Sequence, residues 1–471
     1  MRAAADLVLQ LVANAPSDYP ALHIAFQMLV HCVAPKGDHL LRHLPPRQAA
    51  AFGDQVDRLL LETLSNLMST ALSAEQEAQA QLRLGDGGLG LRPRGGPRAA
   101  ASFLGSWALC CHAVAAATGT DPWHSPTLGP DLLAAATTLR DAGCPEAEGF
   151  LEPTTWDQLR DGPAHQVQRM FGRSLNRVAR AAWRATAGPL EKARLDTGSG
   201  WAAGLALLTC PTERVLQLSD QDYRLALYER LGVPRCGDGV CGFRFSTGGT
   251  CRYTLREGWH AHCCRGAAGV RILGLHNPLA QEWCRFLVAA GRFARTEQRD
   301  PTMGPTARLD VVELASAAGG AAAYDVSVVT PFRADAGFTE RCAAQPGLAA
   351  QLRHDHKLHA QYAARLPGAR LVPLVAETGG RWHPSVPSLA RRLAREYVQR
   401  APGLPGEALS VVVARWAARL SALLIRGNGI VARHVLPAGA TVPPPPAGGG
   451  GLARLPHCLP EGDSAYELLV S

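Results

Sequence analysis

A short glycine-rich stretch of the sequence concentrates side chains that bind soft metal ions. Seven cysteine and histidine residues fall within it: Cys236, Cys241, Cys251, His260, His262, Cys263 and Cys264. Zinc needs four such ligands to complete a tetrahedral structural site. Eight residues separate Cys251 from His260 and three separate His260 from Cys264, so a single turn could present the last pair. The fourth ligand is Cys236 or Cys241, and we favour Cys241. The alternative is a set of free thiols beside surface histidines.

Two aspartates interrupt apolar, β-branched runs further along the chain. Asp310 lies inside residues 308–314 and Asp325 inside residues 324–330, and both runs alternate as strands do. A carboxylate in the middle of a strand is costly unless it binds a metal or another cation. If the two strands are neighbours, the carboxylates meet and provide the oxygen ligands that Mg²⁺ prefers. Ordinary strand-end aspartates that are open to solvent are the alternative.

A lysine is the third candidate catalytic group. Lys357, one of three lysines in the chain, follows Asp325 by 32 residues. An ammonium group beside the two carboxylates would stabilise an attacking hydroxide or the charge of the transition state. Mg²⁺ in the same site would activate water and neutralise charge on a scissile phosphate. Glu297 and Glu377 are further carboxylates that such a site could use.

The elements that must position these groups are mostly helices, with a few strands near the acids. Leucines recur at helical spacing between residues 59 and 72, and β-branched runs mark the strands. The predicted class is therefore α+β and multidomain. The predicted segments are helices in 1–84, a Gly/Arg-rich turn region at 85–98, a helical domain at 99–235, a zinc knuckle at 236–264, an α/β domain at 265–435, and a Pro/Gly linker with a flexible tail at 436–471. Within the α/β domain we expect a helix at 275–292, strands at 308–314, 324–330 and 369–376, a helix carrying Lys357, and helices at 386–400 and 406–426.

The composition is that of a folded protein with an excess of basic residues. With 47% hydrophobic and 19% charged residues, the chain is too apolar for a disordered protein. A net charge of +8 is compatible with a polyanionic partner without requiring one. Arginines spaced three or four apart could follow a phosphate backbone along one helix face, or form a solvated face. These are Arg169, Arg173, Arg177, Arg180 and Arg184.

Membrane and secretory classes are disfavoured. Residues 99–120 carry no charge but are only moderately apolar, which favours a buried helix over a membrane span. Thirteen cysteines without a secretory signal favour thiols and metal ligands over disulfides.

In their order, these motifs resemble the C-terminal half of site-specific non-LTR retrotransposon polyproteins. The endonuclease of that family is related to restriction enzymes of the PD-(D/E)XK type. In the family, a Cys-Cys-His-Cys knuckle precedes an Arg-His-Asn motif, an Arg/Lys-Pro-Asp-Ile motif, a second acid and a lysine displaced onto a later helix. The counterparts here are Cys251, His260 and Cys264, then Leu275-His276-Asn277, Arg308-Leu309-Asp310-Val311, Asp325 and Lys357. Residues 87–92 resemble the signature that follows the polymerase thumb in many such elements, and residues 219–227 and 230–234 resemble the helix before the knuckle. Residues 1–84 then resemble the thumb and linker helices.

The resemblance implies a DNA endonuclease that nicks one strand, with structural zinc and Mg²⁺ as cofactors. The nick frees a 3′ hydroxyl that primes reverse transcription. By this resemblance Asp310 and Asp325 bind Mg²⁺ and Lys357 aids the chemistry. His276, Asn277 and Arg308 contact nucleic acid. The implied partners are DNA and element RNA, the implied location is the nucleus, and no membrane is involved.

The sequence also departs from the family pattern. Leu275 and Leu309 replace the arginine and the proline of two motifs, and nine residues separate Cys241 from Cys251. The chain has no Asp-Asp dipeptide, so the polymerase palm motif is missing and we expect no copying of RNA. Two other interpretations therefore stand beside the nuclease: a nucleic-acid-binding module that no longer cleaves, and a retroelement remnant without a role.

Overall fold

The computed structural model divides the chain into two compact units. One comprises Met1–Val12 and Ile24–Gly188, and the other comprises Ala13–His23 and Pro189–Ser471. The boundary after Gly188 falls inside the segment 99–235 that the sequence suggests as one domain. The structure describes residues 1–16, 18–120, 122–152, 166–234, 239–245, 248–254, 259–299, 308–314, 321–333, 335–361, 370–400 and 408–435. The predicted linker and tail at 436–471, and Cys236, lie outside these residues.

The chain as far as Gly188 is helical where it is described. Its helices are α1 (Arg2–Asn14), α2 (Ala21–Met28), α3 (Asp38–His43), α4 (Pro46–Met68), α5 (Ala74–Gln81), α6 (Pro97–Thr118), α7 (Gly129–Asp141) and α8 (Val167–Thr186). In α4 the predicted leucine stripe faces inward, since Leu60, Leu64 and Leu67 are buried. The first half of α6 fits the expected buried helix, whereas most described side chains in its second half, including Leu109, are exposed.

The second unit surrounds a small sheet with helices. Its helices are α9 (Pro189–Thr197), α10 (Asp220–Leu231), α11 (His260–Cys263), α12 (Ala268–Arg271), α13 (Asn277–Ala289), α14 (Ala336–Ala344), α15 (Leu348–His356), α16 (Ser385–Arg400) and α17 (Leu409–Val435). Its strands are β1 (Ala294–Arg299), β2 (Arg308–Glu313), β3 (Ala322–Val329) and β4 (Arg370–Glu377), in that spatial order. β1, β2 and β3 are antiparallel, and β4 joins β3 in parallel.

The core of this unit fills one face of the sheet. Val311, Tyr324 and Val326 contribute side chains from β2 and β3, and α13, α16 and α17 cover them. Aromatic rings from two of these helices meet there, with Phe286 stacked on Trp416 at a centroid distance of 4.4 Å. Since successive side chains of a strand point to opposite faces, Asp325 is directed away from this core. That face of β3 and β4 is covered by α15.

The predicted α+β class is confirmed, with a mostly helical chain and a four-stranded mixed sheet in its C-terminal half. All three predicted strands form, whereas β1 was not predicted. Its sequence, ARTEQR, lacks the apolar alternation from which a strand is predicted. The strand forms nevertheless, because an edge strand needs only backbone pairing and its side chains can stay polar. None of the described helices combines the length and apolar character that crossing a bilayer requires.

Candidate functional site

Four of the predicted ligand residues converge in one buried cluster, the Cys3His cluster of Cys241, Cys251, His260 and Cys264. One ligand atom from each lies within 4.8 Å of the others. The Sγ atoms of Cys241 and Cys264 are 3.6 Å apart, and Cys251 Sγ is 3.2 Å from His260 Nε2. Cys241, the favoured of the two alternatives for the fourth ligand, lies within the cluster.

Short elements hold this cluster. Cys241 and Cys251 lie on a ribbon joined by backbone bonds, including the Cys251 N–H to the Phe243 carbonyl at 2.7 Å. His260 opens α11 and Cys264 follows its end. The ring of Tyr253 stacks on His260 at a centroid distance of 5.1 Å.

The donor set fits a soft divalent cation. Burial raises the pKa of the Cys241 thiol to about 12, and the neighbouring Cys264 adds to the rise. Buried thiols gathered in this way are stable as thiolates only beside a positive charge, and a bound metal ion supplies one. The cluster can therefore hold a zinc ion.

A second group of polar residues lies where β2 and β3 meet, and we call Asp310, Asp325, Lys357 and His276 the acidic cluster. Val311 pairs with Tyr324, so the next step of the antiparallel register sets Asp310 opposite Asp325. Asp310 Oδ2 accepts a hydrogen bond from the Val326 N–H at 2.7 Å. Lys357 forms an ion pair with Asp325.

His276 completes this cluster from the side of α13. Its Nε2 lies 3.1 Å from Asp310 Oδ2, and its Nδ1 lies 3.0 Å from Asn277 Oδ1. Both His276 and Lys357 belong to single π-helical turns, at Ile272–His276 and Lys357–Gln361. Such turns are rare and occur often at functional sites.

Burial dominates the electrostatics of the acidic cluster. Burial raises the pKa of Asp325, Lys357 opposes that rise, and the carboxyl of Asp310 adds to it. Burial likewise lowers the pKa of Lys357, against the opposing effect of Asp325. For Asp310 burial acts upward. The hydrogen bond and charge of His276, together with the hydrogen bonds of Asp325 and the Val326 N–H, outweigh burial and lower the pKa. One lysine thus faces two carboxyl groups within reach of each other.

No known protein family matches this chain, and no curated protein matches it.

The acidic cluster has an incompletely satisfied carboxylate. Asp325 is 5% exposed, and among the described residues its Oδ2 receives no hydrogen bond unless the neighbouring Asp310 carboxyl is protonated. A buried charged oxygen without a partner is costly, and a cation would relieve that cost. Asp310 and His276 retain side-chain exposures of 16% and 29%, so an ion could reach the cluster from their side. Carboxylate oxygens are the kind of ligand that Mg²⁺ prefers, and the binding of Mg²⁺ here stays a prediction.

Of the other predicted site residues, two lie beside the acidic cluster and one lies far from it. His276 and Asn277 stand beside the acids, and their contact with nucleic acid stays a prediction. The Arg308 side chain lies outside the described part. Glu377 lies opposite Val329 and therefore about 13 Å along β3 from Asp325, so it does not join the acidic cluster.

The predicted arginine stripe lies on α8, and part of its charge is neutralised. Arg177 pairs with Glu146 at 2.8 Å, and Arg180 lies 3.8 Å from Asp86. Arg169 and Arg173 are exposed. The stripe thus combines both interpretations that the sequence leaves open, a solvated face and basic groups that a polyanion could reach.

Proposed function

We propose that this chain is a metal-dependent DNA endonuclease that derives from a non-LTR retrotransposon. The observation that carries the proposal is the pair of buried, adjacent carboxyl groups of Asp310 and Asp325, with Lys357 in an ion pair with Asp325. The motif order of the sequence supports the same conclusion. DNA is the proposed substrate, element RNA a further partner, and the nucleus the proposed location.

Asp310 and Asp325 would hold Mg²⁺, which when bound would activate water and neutralise charge on a scissile phosphate. The oxygen of water would bond to phosphorus as the bond from phosphorus to the 3′ oxygen breaks. One proton of the water would end on the 3′ oxygen, so the products are a 3′ hydroxyl and a 5′ phosphate. Lys357, which forms an ion pair with Asp325, would stabilise the anionic transition state with its positive charge. His276 holds the Asp310 carboxylate in place through the contact at 3.1 Å.

The Cys3His cluster would hold zinc as a structural ion. Its ligands come from a ribbon and a four-residue helix, which have little stability of their own. We infer a role for this zinc in folding rather than in catalysis, because the described site is closed by four protein ligands.

Nicking of supercoiled plasmid DNA in the presence of Mg²⁺ tests the proposed activity. We expect wild-type protein to nick, and Asp310→Asn to reduce the rate at least about a hundredfold, because a neutral amide binds Mg²⁺ poorly. Asp141→Asn, at an exposed aspartate of the N-terminal unit, is the matched control and should nick like wild type.

DNA binding by gel shift separates the remaining interpretations. Asp310→Asn should bind DNA like wild type if the substitution removes only the chemistry. Wild-type protein that binds without nicking would leave a nucleic-acid-binding module. Protein that neither binds nor nicks would leave a retroelement remnant.

A further inference from the structure

Side chains from two helices fix the Gly/Arg-rich turn region of the N-terminal unit, residues 85–98. Gln79 of α5 is fully buried and donates from its Nε2 to the Gly87 carbonyl oxygen at 3.1 Å. Asp57 of α4 accepts a hydrogen bond from the backbone N–H of Arg94 at 2.7 Å. The backbone that presents the arginines of this region is therefore ordered before any ligand binds, which reduces the entropy that binding would cost.

Two arginines at this turn region, Arg83 and Arg92, keep their positive charge open to solvent. Both side chains are exposed, and neither takes part in an ion pair with the residues that the structure describes. The neighbouring Asp38 is already engaged in an ion pair with Arg94 at 3.0 Å. Partial burial of its guanidinium lowers the pKa of Arg92, and the charges of Arg83 and Arg94 lower it further. An anion would relieve this repulsion between guanidinium groups.

One face of α8 packs against the same turn region. Arg98, the last residue of the region, donates a hydrogen bond to the side chain of Asn176. One turn further along α8, Arg180 lies 3.8 Å from Asp86 of the region. The turn region and this face of α8 therefore form one surface of the N-terminal unit.

This face of α8 carries two further exposed arginines. Arg169 and Arg173 precede Asn176 by seven and three residues, and this spacing places all three along one side of the helix. Neither arginine forms an ion pair within the described part of the chain. Four residues of helix advance about 6 Å, so the two charges can follow a chain of phosphates. We call the four exposed arginines the basic surface: Arg83, Arg92, Arg169 and Arg173.

We propose that the basic surface binds the phosphate backbone of a nucleic acid. Arginine suits this partner, because its planar guanidinium can donate to two phosphate oxygens at once. The inference rests on nucleic acid as the partner in the proposed function, and it assigns binding to residues of the N-terminal unit. RNA and DNA share this backbone chemistry, so the experiment uses both.

Salt-dependent binding of a short single-stranded RNA, and of DNA with the same sequence, tests the inference. Fluorescence anisotropy compares full-length wild type with two double variants, Arg83→Gln/Arg92→Gln and Arg169→Gln/Arg173→Gln, without added Mg²⁺. Each double variant should bind at least about tenfold more weakly at low salt. Its plot of log affinity against log salt should be shallower by about 1.4, because each lost phosphate contact removes about 0.7 on a single strand.

A third double variant, Arg140→Gln/Arg177→Gln, is the matched control. It removes two exposed arginines of the same unit whose charges are already paired with Asp141 and Glu146. The net charge falls by the same amount, but the basic surface stays intact, so affinity and salt dependence should remain those of wild type. All the substituted side chains are exposed, and each variant should unfold at the urea concentration of wild type.

The outcomes distinguish this inference from the proposed function. Wild-type affinity and salt dependence in either of the two test variants overturn the joint surface, whether or not the protein nicks DNA. An equal loss in the control also overturns it, because net charge alone would then account for the loss. Weaker binding in both test variants, in a protein that never nicks, supports the basic surface and removes the nuclease. A loss with RNA alone assigns the surface to RNA. Wild type that binds neither nucleic acid overturns both proposals.

Discussion

At the scale of a single residue, the burial of His23 makes the stability of the fold depend on pH. It is fully buried, with Nε2 at 3.0 Å from the Ala206 carbonyl oxygen and at 3.2 Å from that of Thr209. Its ring stacks on Tyr223 at a centroid distance of 4.7 Å. Burial lowers the pKa of His23 to about 4, although the two carbonyl contacts oppose the effect. The folded state therefore favours the neutral ring.

Acidification should destabilise the unit that contains His23. Because its pKa is lower in the folded state than the ordinary value near 6.5, the stabilisation is complete above pH 6.5 and is lost as the pH falls toward 4. We expect this residue to cost about 2 kcal/mol of unfolding free energy between pH 7.5 and pH 5. Urea unfolding at both pH values measures the loss.

His23→Gln can still donate to the same carbonyls but does not titrate, so its stability should depend less on pH. His434→Gln, at an exposed histidine of α17, should retain the wild-type pH dependence. An equal loss in wild type and His23→Gln would contradict this assignment.

At the scale of elements, the Cys3His cluster lies on elements that are too short to be stable alone. Cys241 and Cys251 come from a ribbon with isolated bridges, and α11 spans only His260–Cys263. Local hydrogen bonds cannot hold such short pieces, because helices and hairpins of this size are marginal alone. The surrounding apolar side chains, including Leu225 and Val431, anchor the cluster to α10 and α17.

Metal removal should therefore loosen this region first. We expect about one equivalent of zinc per wild-type chain and almost none in Cys251→Ser, measured by elemental analysis. Backbone amide hydrogens of residues 239–264 should exchange with solvent faster in Cys251→Ser and in chelator-treated wild type. The reason is that bonds from the four ligands to the metal would no longer hold this segment together. Cys342→Ser changes an equally buried thiol in another core cluster and should keep its zinc. Loss of zinc from the control, or wild type without zinc, would contradict the assignment.

At the scale of the whole molecule, the second unit is assembled from distant stretches of chain. The segment Ala13–His23 belongs to it although the rest of the unit begins at Pro189. Leu22 is fully buried, and its N–H donates to Asp220 Oδ1 at 2.8 Å. The segment thus contributes to the core around α10 while it lies near the other end of the sequence.

A fragment of residues 189–435 should consequently be less stable than the same unit in the full chain. Loss of the buried Leu22 and His23 should cost about 3 kcal/mol or more, since burying one leucine contributes about 2 kcal/mol and hydrogen bonds add to it. Hydrogen exchange of the α10 amides compares the two proteins. A peptide of residues 13–23 should restore protection, and the same peptide with Leu22→Ala should restore less. Equal protection with and without the segment would show that it is dispensable.

The sequence alone determined the features that depend on neighbouring residues. The β-branched runs around Asp310 and Asp325 predicted β2 and β3, because the alternation of apolar and polar residues lies within each strand's own sequence. The cysteine and histidine spacing predicted the residues of the Cys3His cluster, since their ligand atoms are presented by local turns. Only the tertiary structure decided which distant groups meet. Lys357 reaches Asp325, and His276 reaches Asp310, because α13 and α15 pack on the sheet. No local pattern encodes the polar edge strand β1, whose position opposite β2 places Glu297 beside Asp310.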